Sequence, residues 1–347
     1  MALAARDTRP QTLPAEHGPT RLGEMPVQSK RNRFFENWAG VVAYVALLTV
    51  WIVAKGLPLT RGGIAMWLIV GMFALSLHNL RHWVTSVALE WFPFVAFLFL
   101  YDVARSFADR LMSINVQAPI DGDRLLFGGH VPSVWLQHHL WHGTQDVRWY
   151  DYASWGVYMT YFFGTLAVAA AIWVFAYHRF RRYVAMVSLL SVAGFTTYLL
   201  FPAAPPWYAG EQGDITYVPR LTGVVWSHSF VSLSKIVDHG QGLSNSFAAM
   251  PSLHAGFTML ITLFLWRSAR WWWRIPLAAY PIAMGFTLVY FAEHYAVDVL
   301  AGWLYALAAF VAVERFANRR AARRASVVAR PQPAGRLVPA AVPEQTP

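Results

Sequence analysis

The sequence has no cysteine, and only 13% of its residues are charged. The first absence excludes a disulfide framework, a thiol nucleophile and a thiolate metal site. The second argues against an ordinary soluble domain, in which about a quarter of the residues are Asp, Glu, Lys or Arg. What is present instead is apolar. Of 347 residues, 56% are hydrophobic and 16% aromatic, and the mean hydropathy is +0.36. This is the composition of an integral membrane protein. The formal charge of +10 does not indicate a nucleic-acid partner, because the basic residues fall in short clusters between apolar runs. Residues 1–34 are polar and end in a basic cluster, with no apolar signal-peptide core, and residues 315–347 are rich in Arg, Ala and Pro. Both segments read as disordered cytoplasmic tails.

A membrane-spanning helix needs about 20 mostly apolar residues. Eight stretches qualify or come close: 38–56, 63–79, 84–104, 153–177, 183–201, 252–266, 274–292 and 294–314. The expected fold is an all-α, polytopic helical bundle with two extra N-terminal spans in 35–84 and a six-helix core in 85–314. Cytoplasmic loops retain Lys and Arg. With the N-terminus inside, twenty of the 28 lysines and arginines fall in the two tails, at Arg81, at Arg179, Arg181 and Arg182, and at Arg267, Arg270 and Arg274. Both termini are then cytoplasmic, and the loops 105–152 and 202–251 face outward, as expected of a multi-pass plasma-membrane protein.

His254, in "MPSLHAG", and His294, in "HYAVD", both open helices at that outer boundary. His294 and Asp298 are four residues apart and so share a helix face. A carboxylate there can hold one imidazole nitrogen and leave the other nucleophilic. Two histidines and an aspartate are a minimal set for phosphoryl transfer, with an attacking imidazole, an orienting carboxylate and a second imidazole as proton donor. Helix N-termini add N–H groups for an anionic phosphate. Other readings of the same residues are a structural hydrogen bond between helices and a metal site, although the spacing carries no metalloprotease signature. A proton relay in a non-enzymatic transporter or lipid-binding membrane protein is a further reading, but here the ionisable groups gather at one boundary rather than at mid-membrane.

"MPSLHAG" at 250–256 and "HYAVDVLAG" at 294–302 resemble the second and third signature motifs of the type 2 phosphatidic acid phosphatase superfamily. The "HYxxD" form is closer to the branch that includes inositol phosphorylceramide synthases and sphingomyelin synthases. "LLFPAAPPW" at 199–207 and "YDVAR" at 101–105 are similar to elements of bacterial members of that branch. The resemblance covers about residues 85–314. It implies His294 as the nucleophile forming a phosphohistidine, Asp298 as its orienting partner, His254 as general acid and Ser252 as a phosphate ligand. It implies no metal and no cofactor. The substrate would be a phospholipid or polyprenyl phosphate, and a lipid alcohol is the possible acceptor.

The sequence also departs from the phosphatase pattern. Leu253 stands where simple phosphatases have glycine, Leu288 stands where they have an arginine six residues before the nucleophile, and the Lys- and Arg-Pro first motif is missing. A doubly charged monoester would therefore be less well neutralised than a singly charged diester. This favours a lipid phosphotransferase of the inositol phosphorylceramide synthase type over a lipid phosphate or polyprenyl diphosphate phosphatase. The replacement clamps are expected among the outer cations Arg105, Arg220 and Lys235, while Arg110, Arg124 and Arg148 read as solvated loop charges. The histidine-rich segment 130–150 reads as an amphipathic interfacial helix with Trp135, Leu136, Leu140 and Trp141 in the lipid boundary. "WWWR" at 271–274 reads as an aromatic belt.

Overall fold

The computed structural model describes residues 38–55, 113–229 and 248–328, together with 66, 67, 69–71, 73, 74, 85 and 87–97. Described in chain order are helices α1 (Trp38–Lys55), α2 (Gln117–Leu126), α3 (Pro132–Leu140), α4 (Trp149–Phe175), α5 (Tyr177–Leu200), α6 (Pro206–Gln212), α7 (Leu221–Ser229), α8 (Leu253–Trp266), α9 (Trp271–Tyr290) and α10 (Ala296–Val328). No strand occurs among these residues. The nearest approach is a pair of isolated bridges that bring Asn115, Ala203 and Ala248 side by side. The all-α expectation holds.

Among the described residues, three helices are long and apolar enough to cross a membrane: Trp149–Trp173, Tyr177–Leu200 and Ala296–Ser326. Val42–Lys55 and Leu253–Trp266 are shorter apolar helices. The chain is thus membrane-integral. Much of the expected spans 63–79 and 84–104 lies outside the described residues. At its C-terminal end α10 corrects the expectation. The segment after 314 is helical to Val328 rather than a tail from its start, because Ala and Arg are strong helix formers even where no apolar face remains to pack.

Helix α8 lies at the centre and packs against α4, α5, α9 and α10. Its contact with α10 rests on glycine. A Cβ on Gly302 would lie 2.2 Å from the Ser252 carbonyl oxygen, and one on Gly256 would lie 3.2 Å from the Gly302 carbonyl. Two backbones can approach this closely only where side chains are absent. Helix α9 contains Pro281, which deprives the Leu277 carbonyl of its intrahelical donor. The Thr262 hydroxyl of α8 donates to that oxygen at 2.8 Å, so a gap in one helix becomes a bond to its neighbour.

The 130–150 segment needs a second correction. Trp135 is exposed, but Leu136, Leu140 and Trp141 pack on the cluster around Leu221, Tyr290 and Phe291 rather than lying in lipid. Helix α3 is held there by Gln137, whose amide donates to the Pro219 and Tyr290 carbonyls at 3.0 and 2.9 Å. A buried polar side chain that caps another helix end outweighs an amphipathic pattern.

Candidate functional site

His254 lies in the first turn of α8, whose N-cap is Ser252. The Ser252 Oγ accepts the Ala255 N–H at 3.4 Å, and its backbone N–H donates to the Asp298 carbonyl at 2.9 Å. Two segments almost fifty residues apart are thereby joined backbone to backbone. Just before the cap, the Tyr198 hydroxyl donates to the Pro251 carbonyl at 2.7 Å. Leu253, at the position where the phosphatase motif has glycine, fills the space over Gly194, whose added Cβ would meet it at 2.9 Å. That departure is a packing feature, not a missing ligand.

His294 sits on the corner between α9 and α10. The Glu293 and His294 N–H groups both donate to the Leu288 carbonyl, and Ala292 has φ 59°. Asp298 is in the first turn of α10, and its Oδ2 accepts the Tyr295 N–H at 2.9 Å. His294 Nδ1 lies 3.6 Å from that same Oδ2, with both side chains buried. At this distance Nδ1 and the second Asp298 oxygen have no hydrogen-bond partner.

The rings of His254 and His294 come together at a centroid distance of 5.6 Å. His254 is held from the other side by α4, with Tyr158 stacked on it at 5.2 Å and Tyr161 at 3.7 Å. The residues expected to be catalytic therefore converge at one end of the bundle. Among the described residues, no three His, Asp or Glu side chains group so as to hold a metal ion.

The expected phosphate clamps fare differently. Arg105 and Lys235 lie outside the described residues. Arg220 forms a bidentate pair with Glu293, Nε to Oε1 at 2.7 Å and Nη2 to Oε2 at 3.1 Å, and the Thr222 hydroxyl donates to the same Oε1. Burial acts to lower the Arg220 pKa, but the Glu293 charge and its hydrogen bonds together outweigh it, so the pKa is raised and the guanidinium stays charged. Trp207, from the Pro-rich segment, covers the guanidinium at 5.4 Å, and its backbone N–H donates to the Ala292 carbonyl. Leu288, where the phosphatase arginine would stand, is buried in the core.

Sequence reasoning missed Asp123. From α2 its carboxylate accepts the Ala296 and Val297 N–H groups at 3.2 and 2.9 Å, capping α10 from 173 residues away. Burial pushes its pKa up to about 6, its two N–H bonds pull it back, and Asp298 adds to the rise. No local spacing points to a cap supplied from another helix. Glu293 was equally passed over, although its place beside the candidate nucleophile was a usable signal. Tyr158 and Tyr161 carried only the weak signal of aromatic residues in an apolar run.

Residues 132–312 match the PAP2 superfamily model, and the chain belongs to that superfamily. Within it, the chain is 29% identical over 150 residues to the phosphoinositol dihydroceramide synthase of Bacteroides thetaiotaomicron, covering 40% of this chain and 49% of that protein. It is 32% identical over 133 residues to the inositol phosphorylceramide synthase catalytic subunit of Schizosaccharomyces pombe, covering 36% of this chain and 31% of that one. With the Candida albicans inositol phosphorylceramide synthase it shares 28% identity over 135 residues, 35% of this chain and 26% of the other. The chain therefore spans about half or less of the length of these relatives. No solved structure matches it.

Proposed function

We propose that the protein is a membrane-embedded lipid phosphotransferase that works through a phosphohistidine on His294. The observation that carries this is the convergence of two imidazoles at 5.6 Å with Asp298 behind one of them. With Nδ1 turned to Asp298, Nε2 of His294 attacks phosphorus, and the P–O bond to the lipid alcohol breaks. His254 donates a proton to the departing oxygen. An acceptor hydroxyl then gives its proton to His254 and attacks the phosphohistidine, and the P–N bond breaks to regenerate His294. The Ser252 hydroxyl and the N-terminus of α8 supply polar groups for the phosphate oxygens, and Arg220 supplies guanidinium N–H donors. The names of the relatives support a phosphoinositol donor and a ceramide-like acceptor.

We read the chain as eight spans with both termini cytoplasmic and the histidines at the outer face. The basic corners support this sidedness. Arg179 donates to the Phe264 carbonyl at 2.7 Å and to the Ser268 hydroxyl, and Arg182 lies 3.8 Å from Glu314. These cations gather at the start of α5, beside the end of α8 and the middle of α10, away from Ser252 and Asp298.

The test is turnover of labelled phosphatidylinositol in mixed micelles, with and without a ceramide acceptor, for wild type, His294→Ala and His254→Ala. A new phospholipid formed only with acceptor is expected from wild type, with at least about a 10³-fold loss in His294→Ala. His254→Ala should lose about 10²–10⁴-fold. Release of water-soluble phosphoinositol without acceptor would make the protein a hydrolase instead.

A further inference from the structure

We propose that Arg220 and Glu293 form a charge-neutral clamp that makes the site select singly charged phosphodiesters over doubly charged monoesters, with Glu293 as the specificity-determining residue. This rests on the reading of His254 and His294 as the reacting pair. The pair adjoins His294 directly, and a tyrosine links it to the His254 side. Glu293 immediately precedes His294, and the two share the Leu288 carbonyl as backbone acceptor. Arg220 is within electrostatic reach of Tyr158, which stacks on His254. The arginine side chain keeps 33% of its surface exposed, whereas the glutamate keeps 9%. The arginine is therefore the more exposed partner and the carboxylate the more buried one.

A guanidinium has five N–H donors, and Glu293 occupies two of them. Thr222 and Trp207 fix the carboxylate and the guanidinium from opposite sides, so the pair is a built part of the site rather than a loose surface contact. With the carboxylate in place the net charge of the clamp is zero. A phosphate oxygen can still bind the remaining N–H groups, but a second negative charge gains little from Arg220 and is repelled by Glu293. Simple phosphatases place an arginine six residues before the nucleophile. Here that position is the buried Leu288, so no unneutralised cation stands there to reward a dianion. Removing the Glu293 charge would leave a clamp of net charge +1 and invert the preference.

The experiment measures binding of two short-chain lipids that differ by one charge, dihexanoyl phosphatidic acid and dihexanoyl phosphatidylmethanol, to the purified full chain at pH above the second phosphate ionisation. Wild type should bind the diester more tightly. In Glu293→Gln the monoester-to-diester affinity ratio should rise by about tenfold or more, and Glu293→Asp should restore the wild-type ratio. A folded Glu293→Gln protein with an unchanged ratio, or a wild type that prefers the monoester or binds neither lipid, overturns the proposal. If Glu293→Gln does not fold, wild type alone decides. Monoester affinity relative to the diester should fall as pH rises through the second phosphate pKa near about 6, and a flat or rising ratio overturns the proposal. His294→Ala, measured in parallel, should keep the wild-type ratio without turnover. Turnover that survives in it would sink the catalytic reading and leave the binding ratio as a separate result.

Discussion

Asp298 carries two separate duties on different atoms. Its side chain faces Nδ1 of His294, and its backbone carbonyl receives the Ser252 N–H. Asp298→Asn keeps the backbone bond and an oxygen for the Tyr295 N–H but loses the charge that stabilises an imidazolium. We expect a fall in kcat of about 10³-fold or more with little change in thermal stability, checked by steady-state kinetics beside a melting curve. Leu288→Arg makes the contrasting case. Restoring the phosphatase arginine at a buried core position would strand a charge without a partner, and we expect little folded protein to be recovered in detergent. The motif residues were legible at this scale because each is a polar side chain at the start of an apolar run. Glu293 is legible only as a neighbour of His294, because its partner Arg220 lies 73 residues earlier and no spacing announces the ion pair.

Between elements, glycine contact and a borrowed cap set the geometry. Gly302→Ala would push a methyl group into the Ser252 carbonyl, where only 2.2 Å is available, so α8 and α10 must separate. The expected cost is about 1–3 kcal/mol together with a loss of activity larger than the loss of folded protein, since Ser252, His254 and Asp298 all shift. Asp123 governs the same junction from α2. An acid whose pKa is higher in the folded than in the unfolded state contributes its stability fully below the ordinary carboxylate range and loses it as pH rises through the folded value. For Asp123 that value is about 6. The melting-temperature difference between wild type and Asp123→Asn should therefore shrink as pH rises from about 4 to about 7. The long helices were readable from their apolar runs. Their ends were not, because α4 begins at Trp149 through the Asp151 side chain accepting the Arg148 N–H at 2.7 Å, and α10 runs on through Arg and Ala by propensity alone. Asp123 was invisible for a different reason: a cap drawn from another helix leaves no periodicity in either sequence.

Across the whole molecule, the absence of cysteine makes sidedness directly measurable. A single cysteine at Leu125 in α2, which is highly exposed, should react with a membrane-impermeant maleimide in intact cells. One at Arg319, near the C-terminal end of α10, should react only after permeabilisation. The opposite pattern would invert the topology and place the histidines inside. The broad plan, an all-helical membrane bundle with the two motif histidines at one end, followed from composition and from where the polar residues fall. The packing of α3 did not, because its apolar side chains match a lipid-facing pattern and only Gln137 shows that they face protein.

The division of labour within Asp298 also offers a way to learn what the protein carries. Because the bond to Ser252 is a main-chain bond, disabling the side chain should leave the binding chamber assembled but slow to discharge its contents. Asp298→Asn purified gently from cells is therefore a lipid trap. Native mass spectrometry of that variant should show a retained phospholipid whose mass reports the natural donor, without any candidate substrate having been chosen beforehand.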